Sequence, residues 1–213
     1  MVGVHEAALY SLDRSAYSLL VAKGPDTRQR VVRTAAELFP RRGYHGTGLN
    51  QLLNEAKAPK GSLYFHFPGG KEQVAVEAIS MSGVSLLADL RGALDEAADP
   101  AEGIVRVVEL LAARLAASGY LDGCPVASVA LDAAGSSEAI RVACAEAYDG
   151  WLGVIAVALR RWGVPAARAS ALATVLLSAV EGALLLARVQ RDTRPLHTVA
   201  DQLVTLVSPA VTA

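Results

Sequence analysis

The residues best suited to chemistry lie in one short segment that is rich in hydrogen-bond donors. Four of its side chains carry donors: Lys60, Ser62, Tyr64 and His66. Gly61 lies among them and leaves the backbone open to close approach. Leu63 and Phe67 are four residues apart, so on a helix they share one side and can anchor it inward. A helix with two buried anchors and donors on its remaining surface suits the major groove of DNA.

Two short helices and a tight turn are predicted to position these donors. The first helix has an apolar face at helical spacing, formed by Leu49, Leu52, Leu53 and Ala56. Thr47 is predicted to cap its N-terminus, and residues 57–59 form the turn. Pro59 suits the first position of the second helix, predicted over residues 60–67, because no N–H bond is lost there. Residues 68–70, Pro-Gly-Gly, then end the second helix.

A wider set of residues accompanies this segment at fixed spacings over roughly residues 28–78. Its members are Ala35, Ala36, Glu37, Leu38, Phe39, Arg42, Gly43, Tyr44, Thr47, Lys60, Gly61, Ser62, Leu63, Tyr64, His66, Phe67, Lys71 and Glu72. The pattern resembles the N-terminal signature of the tetracycline-repressor (TetR) family of transcription regulators. Two positions depart from it: Gly48 stands where Ser or Thr is usual, and Lys57 where the turn usually has Gly. A left-handed backbone at Lys57 would cost about 1–2 kcal/mol.

The resemblance implies a role for each DNA-binding residue by its position in the pattern. Side chains that are expected to contact phosphates and set the register are Thr47, Tyr64, His66 and Lys71. Residues that are expected to meet base edges are Lys60, Gly61 and Ser62. Tyr44 and Phe67 are interpreted as core residues. Lys71 also opens the next helix, whose first N–H groups favour a phosphate.

The charge distribution agrees with a DNA-binding N-terminal part. The whole chain of 213 residues has a formal net charge of −1, which by itself argues against a nucleic-acid binder. Residues 26–77, however, hold eight basic and five acidic side chains, whereas residues 78–213 hold ten and fourteen. Parts of opposite sign are expected when only one part binds a polyanion.

Composition and apolar spacing predict an all-α fold. Hydrophobic residues make up 53% of the chain and aromatic residues only 5%, which favours helix bundles.

Three parts are predicted: a weakly ordered arm over residues 1–25, a three-helix helix-turn-helix DNA-binding domain over 26–77, and an effector-binding and dimerisation bundle over 78–213. Asp26 is predicted to cap the first helix and Gly43 to end it. Four long helices are then predicted over residues 71–98, 100–118, 138–162 and 166–191, with a short helix after Pro125. A last helix is predicted to end near Ser208, and Pro195 is predicted to break the chain before it.

The last two helices are apolar over both faces, so they are either buried in one subunit or pair with a second copy. The TetR resemblance implies the second: a homodimer that presents two recognition helices to a palindromic operator on double-stranded DNA. It also implies control by a small, apolar effector that enters the bundle. Residues placed near such a ligand are Tyr120, Cys124, Tyr148, Trp151 and Glu181.

Alternative functions remain open at the level of the sequence. Control by a protein partner, or by oxidation of Cys124 at a predicted helix start where a thiolate is favoured, could replace the small molecule. The more ordinary interpretation of Cys124 and Cys144 is that of small buried apolar residues. No enzyme motif, metal site or cofactor is predicted. No apolar run reaches about 18 uninterrupted residues and no secretory signal is evident, so a cytoplasmic protein without a membrane partner is expected.

Overall fold

The computed structural model describes residues 27–211, without the side chains of Ser62 and of residues 209–211. In that range the chain forms nine α-helices and no strand: α1 Thr27–Gly46, α2 Leu49–Glu55, α3 Ser62–His66, α4 Gly70–Asp95, α5 Pro100–Ala117, α6 Ala127–Ala133, α7 Glu138–Arg161, α8 Ala166–Gln190 and α9 Arg194–Val211. The predicted all-α fold is confirmed. The predicted arm over residues 1–25 and the predicted cap Asp26 lie outside the described residues.

The first helix is interrupted near its C-terminal end. Gly43 has φ 73° and ψ 174°, so its backbone leaves the helical range and the residues after it form a separate turn. This region of backbone space is essentially restricted to glycine. The prediction that the helix breaks at Gly43 is therefore confirmed.

A small core holds α1, α2 and α3 together. Leu52, Leu63 and Phe67 are at most 2% exposed, which confirms Leu63 and Phe67 as the inward-facing anchors of α3. The helix itself is shorter than the predicted 60–67. Lys60 and Gly61 lie in the turn before it, and Phe67 leaves the helical range with φ −134° and ψ 78°.

The remaining helices form a bundle in which α4 packs on α7, α7 on α8, α8 on α9 and α9 on α5. Trp151 on α7 is 1% exposed, and its Nε1 donates to the carbonyl oxygen of Gly83 on α4 at 3.0 Å. The Asp99 carboxylate caps α5 by accepting from the Glu102 N–H, and the Ser137 hydroxyl caps α7 by accepting from the Ile140 N–H. Side-chain caps of this kind satisfy N–H groups that have no partner within the helix.

Helix α8 ends at Gln190, within one residue of its predicted end at residue 191, but Pro195 does not have the predicted role. The left-handed residue is Arg191, with φ 52°, directly after α8. Pro195 is the second residue of α9, where a missing N–H costs nothing and the fixed φ favours a helix. The prediction that Pro195 breaks the chain is therefore wrong: it starts a helix.

One helix belongs to both predicted domains. α4 runs without interruption from Gly70 to Asp95, so the predicted boundary between residues 77 and 78 falls inside it. α4 packs against α1 on one side and against α7 on the other. A displacement of α4 would therefore change its packing against α1 and against the bundle.

Three helices are long and apolar enough, by length and composition alone, to cross a membrane: α4, α7 and α8. Polar residues interrupt each of these helices, so none of them contains a long uninterrupted apolar run. In the structure α7 packs between α4 and α8. Within the fold, 39% of each apolar window is buried.

Candidate nucleic-acid interface and ligand cavity

The turn between α2 and α3 contains a non-glycine residue in the left-handed conformation. Lys57 has φ 51°, the conformation for which the TetR pattern usually supplies glycine. The turn is held by the Ala58 N–H, which donates to the Leu53 carbonyl at 2.9 Å. The Arg30 guanidinium on α1 adds a bond from its Nε to the Ala56 carbonyl at 3.2 Å. These contacts fix the angle between the two helices in spite of the strain at Lys57.

The predicted donors lie on α3 and in the turn before it. Tyr64 is 68% exposed, Lys60 and Gly61 are exposed, and His66 is half-buried. The side chain of Ser62 lies outside the described part. Tyr64 on α3 and the turn residues Lys60 and Gly61 face solvent while the anchors Leu63 and Phe67 are buried, which is the geometry that a major-groove helix requires. Their contacts with DNA remain a prediction.

The structure corrects the role predicted for Thr47. This residue is fully buried, and its hydroxyl donates to the carbonyl oxygen of Gly43 at 2.8 Å. It neither caps α2, whose N-cap residue is Gly48, nor has a side chain free to bind a phosphate. Thr47 closes the turn after Gly43 instead, so we remove it from the proposed phosphate contacts.

Lys71 lies at the start of α4, beside the aromatic ring of Tyr44. Its Nζ is 4.4 Å from the ring centroid, within the range of a cation–π interaction. Partial burial lowers the pKa of Lys71 and raises that of Tyr44, since burial disfavours each charged form. Tyr44 is half-buried rather than a full core residue. It positions the cation that is proposed to meet a phosphate.

Phe65 was missing from the predicted interface. It is 82% exposed on α3, between the donors Tyr64 and His66. An aromatic side chain in this position can contact the methyl group of a thymine in the major groove. The sequence contained the signal: Leu63 and Phe67 face inward, so the residue midway between them must face outward.

A cavity of about 550 Å³ lies between α1 and the bundle. Its wall includes Pro40 and Arg41 from α1, together with apolar residues of α4, α5, α7 and α8. Of the five residues predicted to meet an effector, Cys124, Trp151 and Glu181 line it. Tyr148 and Tyr120 do not. Tyr148 packs behind the wall, with its ring centroid 5.3 Å from that of Trp151, while Tyr120 lies in the loop after α5 with φ 63°.

The buried Cys124 and the half-buried Tyr148 and Glu181 form one hydrogen-bonded polar group beside the cavity. Burial raises the pKa of the Cys124 thiol well above its usual value, and the neighbouring Glu181 adds to this. Burial also raises the pKa of Tyr148 and of Glu181. The prediction that the Cys124 environment favours a thiolate is therefore wrong. Cys124 and Cys144 are both buried, as the more ordinary interpretation of the cysteines predicted, and a thiol kept protonated is a poor redox sensor.

Several polar contacts connect the end of α1 to the bundle. Arg41 Nε lies 2.5 Å from Asp122 Oδ1 in the loop before α6, and the Asp132 carboxylate on α6 accepts from the His45 N–H at 2.6 Å. The Arg188 guanidinium on α8 donates to the Arg41 carbonyl at 3.3 Å. The part of α1 around Gly43 therefore follows the position of α6 and α8.

A three-helix unit with an exposed, donor-bearing α3, joined to a helical bundle, defines a helix-turn-helix DNA-binding regulator. Family models agree with this class. Residues 31–78 match the bacterial regulatory proteins of the tetR family, and residues 100–202 match the C-terminal domain of LmrA/YxaF-like transcriptional regulators. The chain belongs to the TetR family, whose members are transcriptional regulators and not enzymes.

Similar proteins support the assignment over most of the chain. The HTH-type transcriptional regulator LmrA of Bacillus subtilis is 39% identical over 171 residues, which cover 80% of this chain and 91% of LmrA. The uncharacterized regulator YxaF of the same organism is 36% identical over 182 residues, 85% of this chain and 95% of YxaF. The crystal structure of a regulatory protein TetR from Rhodobacter sphaeroides superposes with a TM-score of 0.75 at 24% identity, covering 84% of this chain and 97% of the other. At that identity it supports the fold alone.

Proposed function

We propose that this regulator is a repressor that binds a palindromic operator as a homodimer and is released by a small, apolar effector. One observation carries the proposal: the wall of the cavity is shared by α1 of the DNA-binding unit and by the bundle. A ligand in this cavity contacts both, so its binding energy can favour one relative position of the two over another. A difference of about 1–3 kcal/mol between the two states is enough for a useful response.

The proposed DNA contacts come from α3, from the turn before it and from the start of α4. Lys60, Gly61, Ser62 and Phe65 are assigned to base edges. Tyr64, His66 and Lys71 are assigned to phosphates. Cations and donors that neutralise phosphates release counterions, so binding should weaken steeply with salt. The proposal also includes the domain boundaries after residues 25 and 77. It places the protein in the cytoplasm.

Exposed apolar side chains on the last two helices support the homodimer. On α8 these are Val175, Leu185, Leu186 and Val189, and on α9 Leu206. A side chain built onto Gly182 of α8 would meet nothing within 4 Å, so a second helix has room to approach closely there. Val175, Leu186 and Val189 lie at helical spacing and share one exposed face of α8 with Gly182. Exposed apolar faces are typical of interfaces, and a two-fold symmetric dimer matches a palindromic site.

Filling the cavity should abolish the response to an effector without abolishing DNA binding. Val107 on α5 lines the cavity, and tryptophan in its place occupies part of the free volume. We expect Val107→Trp to bind the operator within about twofold of the wild type, and to require at least tenfold more of any compound that releases the wild-type complex. Mobility shift on operator fragments selected from genomic DNA provides the measurement.

Val105→Trp is the matched control for this variant. Val105 is on the same helix but is 46% exposed and does not line the cavity. It should keep both operator binding and effector response. An unchanged response in Val107→Trp would show that the effector binds elsewhere, and would favour control by a protein partner instead.

A further inference from the structure

Of the charged side chains around the cavity, the arginines have ion-pair partners, whereas two of the carboxylates do not. Arg41 is paired with Asp122, and Arg114 on α5 is paired with Asp89 on α4. The two arginines that line the cavity are thus already neutralised. Two further charged residues of the wall are Glu37 on α1 and Glu181 on α8. Among the described residues neither makes an ion pair within 4 Å, although the charge of Glu37 acts on Arg41, which already binds Asp122.

Glu181 lies in an apolar part of the wall. Its neighbours there include Leu177, Val180 and Leu184, and the polar groups that face it are the Cys124 thiol and Tyr148. Arg188, one further basic group on α8, is directed to the Arg41 carbonyl instead. An ionised carboxylate in such a place is costly unless a positive charge comes close to it. Nothing described in the protein supplies that charge.

We propose that the effector is an apolar organic cation, whose charge pairs with Glu181 and Glu37 while its apolar body fills the cavity. This inference rests on the proposed function of the cavity. A cation gains Coulombic energy from both carboxylates, whereas an anion is repelled by them. The volume of about 550 Å³ lies in the usual range for small-molecule sites. Because Glu37 belongs to α1, the same cation also contacts the DNA-binding unit directly.

Two probes of equal size and opposite charge test this inference. Tetraphenylphosphonium and tetraphenylborate differ mainly in the sign of their charge, and both have an apolar body of a size that suits the cavity. Binding to the full-length protein is measured by isothermal titration calorimetry. We expect the cation to bind at least tenfold more tightly than the anion. Equal or tighter binding of tetraphenylborate, or no binding of tetraphenylphosphonium, would overturn the inference.

Substitutions of Glu181 and Glu37 test whether these two carboxylates bind the cation. Glu181→Gln should lower the affinity for tetraphenylphosphonium at least tenfold. Glu37→Gln, at an exposed position where folding is not at risk, should lower it at least threefold. Glu146→Gln changes the net charge equally at an exposed position of α7 outside this cavity, and should stay within twofold of the wild type. Unchanged affinity in both Glu181→Gln and Glu37→Gln would contradict the pairing.

The pH dependence gives a second readout. Burial raises the pKa of Glu181 in the free protein, so its neutral form persists to higher pH than for an exposed glutamate. Since the cation pairs with the ionised form, its affinity should fall as the pH is lowered through that raised pKa. In Glu181→Gln this decrease should be reduced, and an identical pH profile in the two proteins would count against Glu181 as the partner.

Release of the operator is assayed separately, so that the two proposals can fail independently. If tetraphenylphosphonium binds as predicted but the operator complex stays intact, the charge inference stands and control by this cavity fails. If neutral or anionic compounds release the operator while the cation does not bind, the charge inference fails and the proposed function stands.

Discussion

Phe67→Ala is expected to lower the free energy of unfolding by about 3–5 kcal/mol, the usual cost of removing a fully buried phenylalanine side chain. Phe67 is 0% exposed and lies at the point where the chain leaves α3 and turns toward α4. The Arg28 guanidinium lies 5.5 Å from its ring centroid, so the substitution also removes a contact with α1. Urea denaturation followed by circular dichroism measures the loss.

Phe65→Ala is the matched control, since it removes the same atoms two residues away. Because Phe65 is 82% exposed, its free energy of unfolding should change by less than about 0.5 kcal/mol. Its operator affinity should instead fall about tenfold, if the ring contacts a thymine methyl as proposed. Similar stability losses in the two variants would mean that the face of α3 assigned to DNA is wrong.

Gly43→Ala is expected to destabilise the protein by at least about 2 kcal/mol, because two costs combine. A side chain at φ 73° and ψ 174° is strained by about 1–3 kcal/mol. Its Cβ would also lie 2.9 Å from Asp132 Oδ2, the atom that accepts from the His45 N–H. Moving that carboxylate weakens a hydrogen bond to a charged group, worth roughly 1.5–3 kcal/mol.

Thermal and urea unfolding of Gly43→Ala should be compared with those of Gly46→Ala. A Cβ at Gly46 would meet Arg42 Cβ at 3.8 Å, an ordinary contact, and its φ is not positive. We expect Gly46→Ala to be neutral or slightly stabilising, since alanine favours the helix. A Gly43→Ala protein as stable as the wild type would contradict the tight junction between α1 and α6.

The recognition helix was predictable from the sequence because its anchors depend on local spacing. Leu63 and Phe67 are four residues apart, and both are buried as that spacing requires. Strain at Lys57 was predictable because the turn needs a left-handed residue at this position and lysine, unlike glycine, adopts that conformation at a cost. Thr47 was misassigned because a hydroxyl before a helix is usually a cap, and the competing carbonyl of Gly43 appears only when the break in α1 is known.

The cavity could be predicted only in part, because its wall comes from six helices, from α1 to α9, that are distant in sequence. Glu181 stood out as a charge inside an apolar helix, and it does line the cavity. Tyr120 was chosen for its residue type, yet the left-handed residues at the end of α5 direct the loop elsewhere. The environment of Cys124 is set by its burial and by its contact with Glu181. Local spacing could not reveal that contact, because Glu181 is 57 positions further along the chain.

The central claim is specific DNA binding through α3, and a mobility-shift titration over a salt series tests it most directly. The titration uses the wild type, Lys60→Ala, Tyr64→Ala and the control Arg168→Ala, which removes an exposed charge on α8 far along the chain from α3. The account predicts binding to one palindromic site that weakens with salt. It also predicts at least tenfold loss in both Lys60→Ala and Tyr64→Ala and unchanged affinity in Arg168→Ala. Affinity that is insensitive to both of these substitutions, or a genomic selection that yields no specific site, would contradict it.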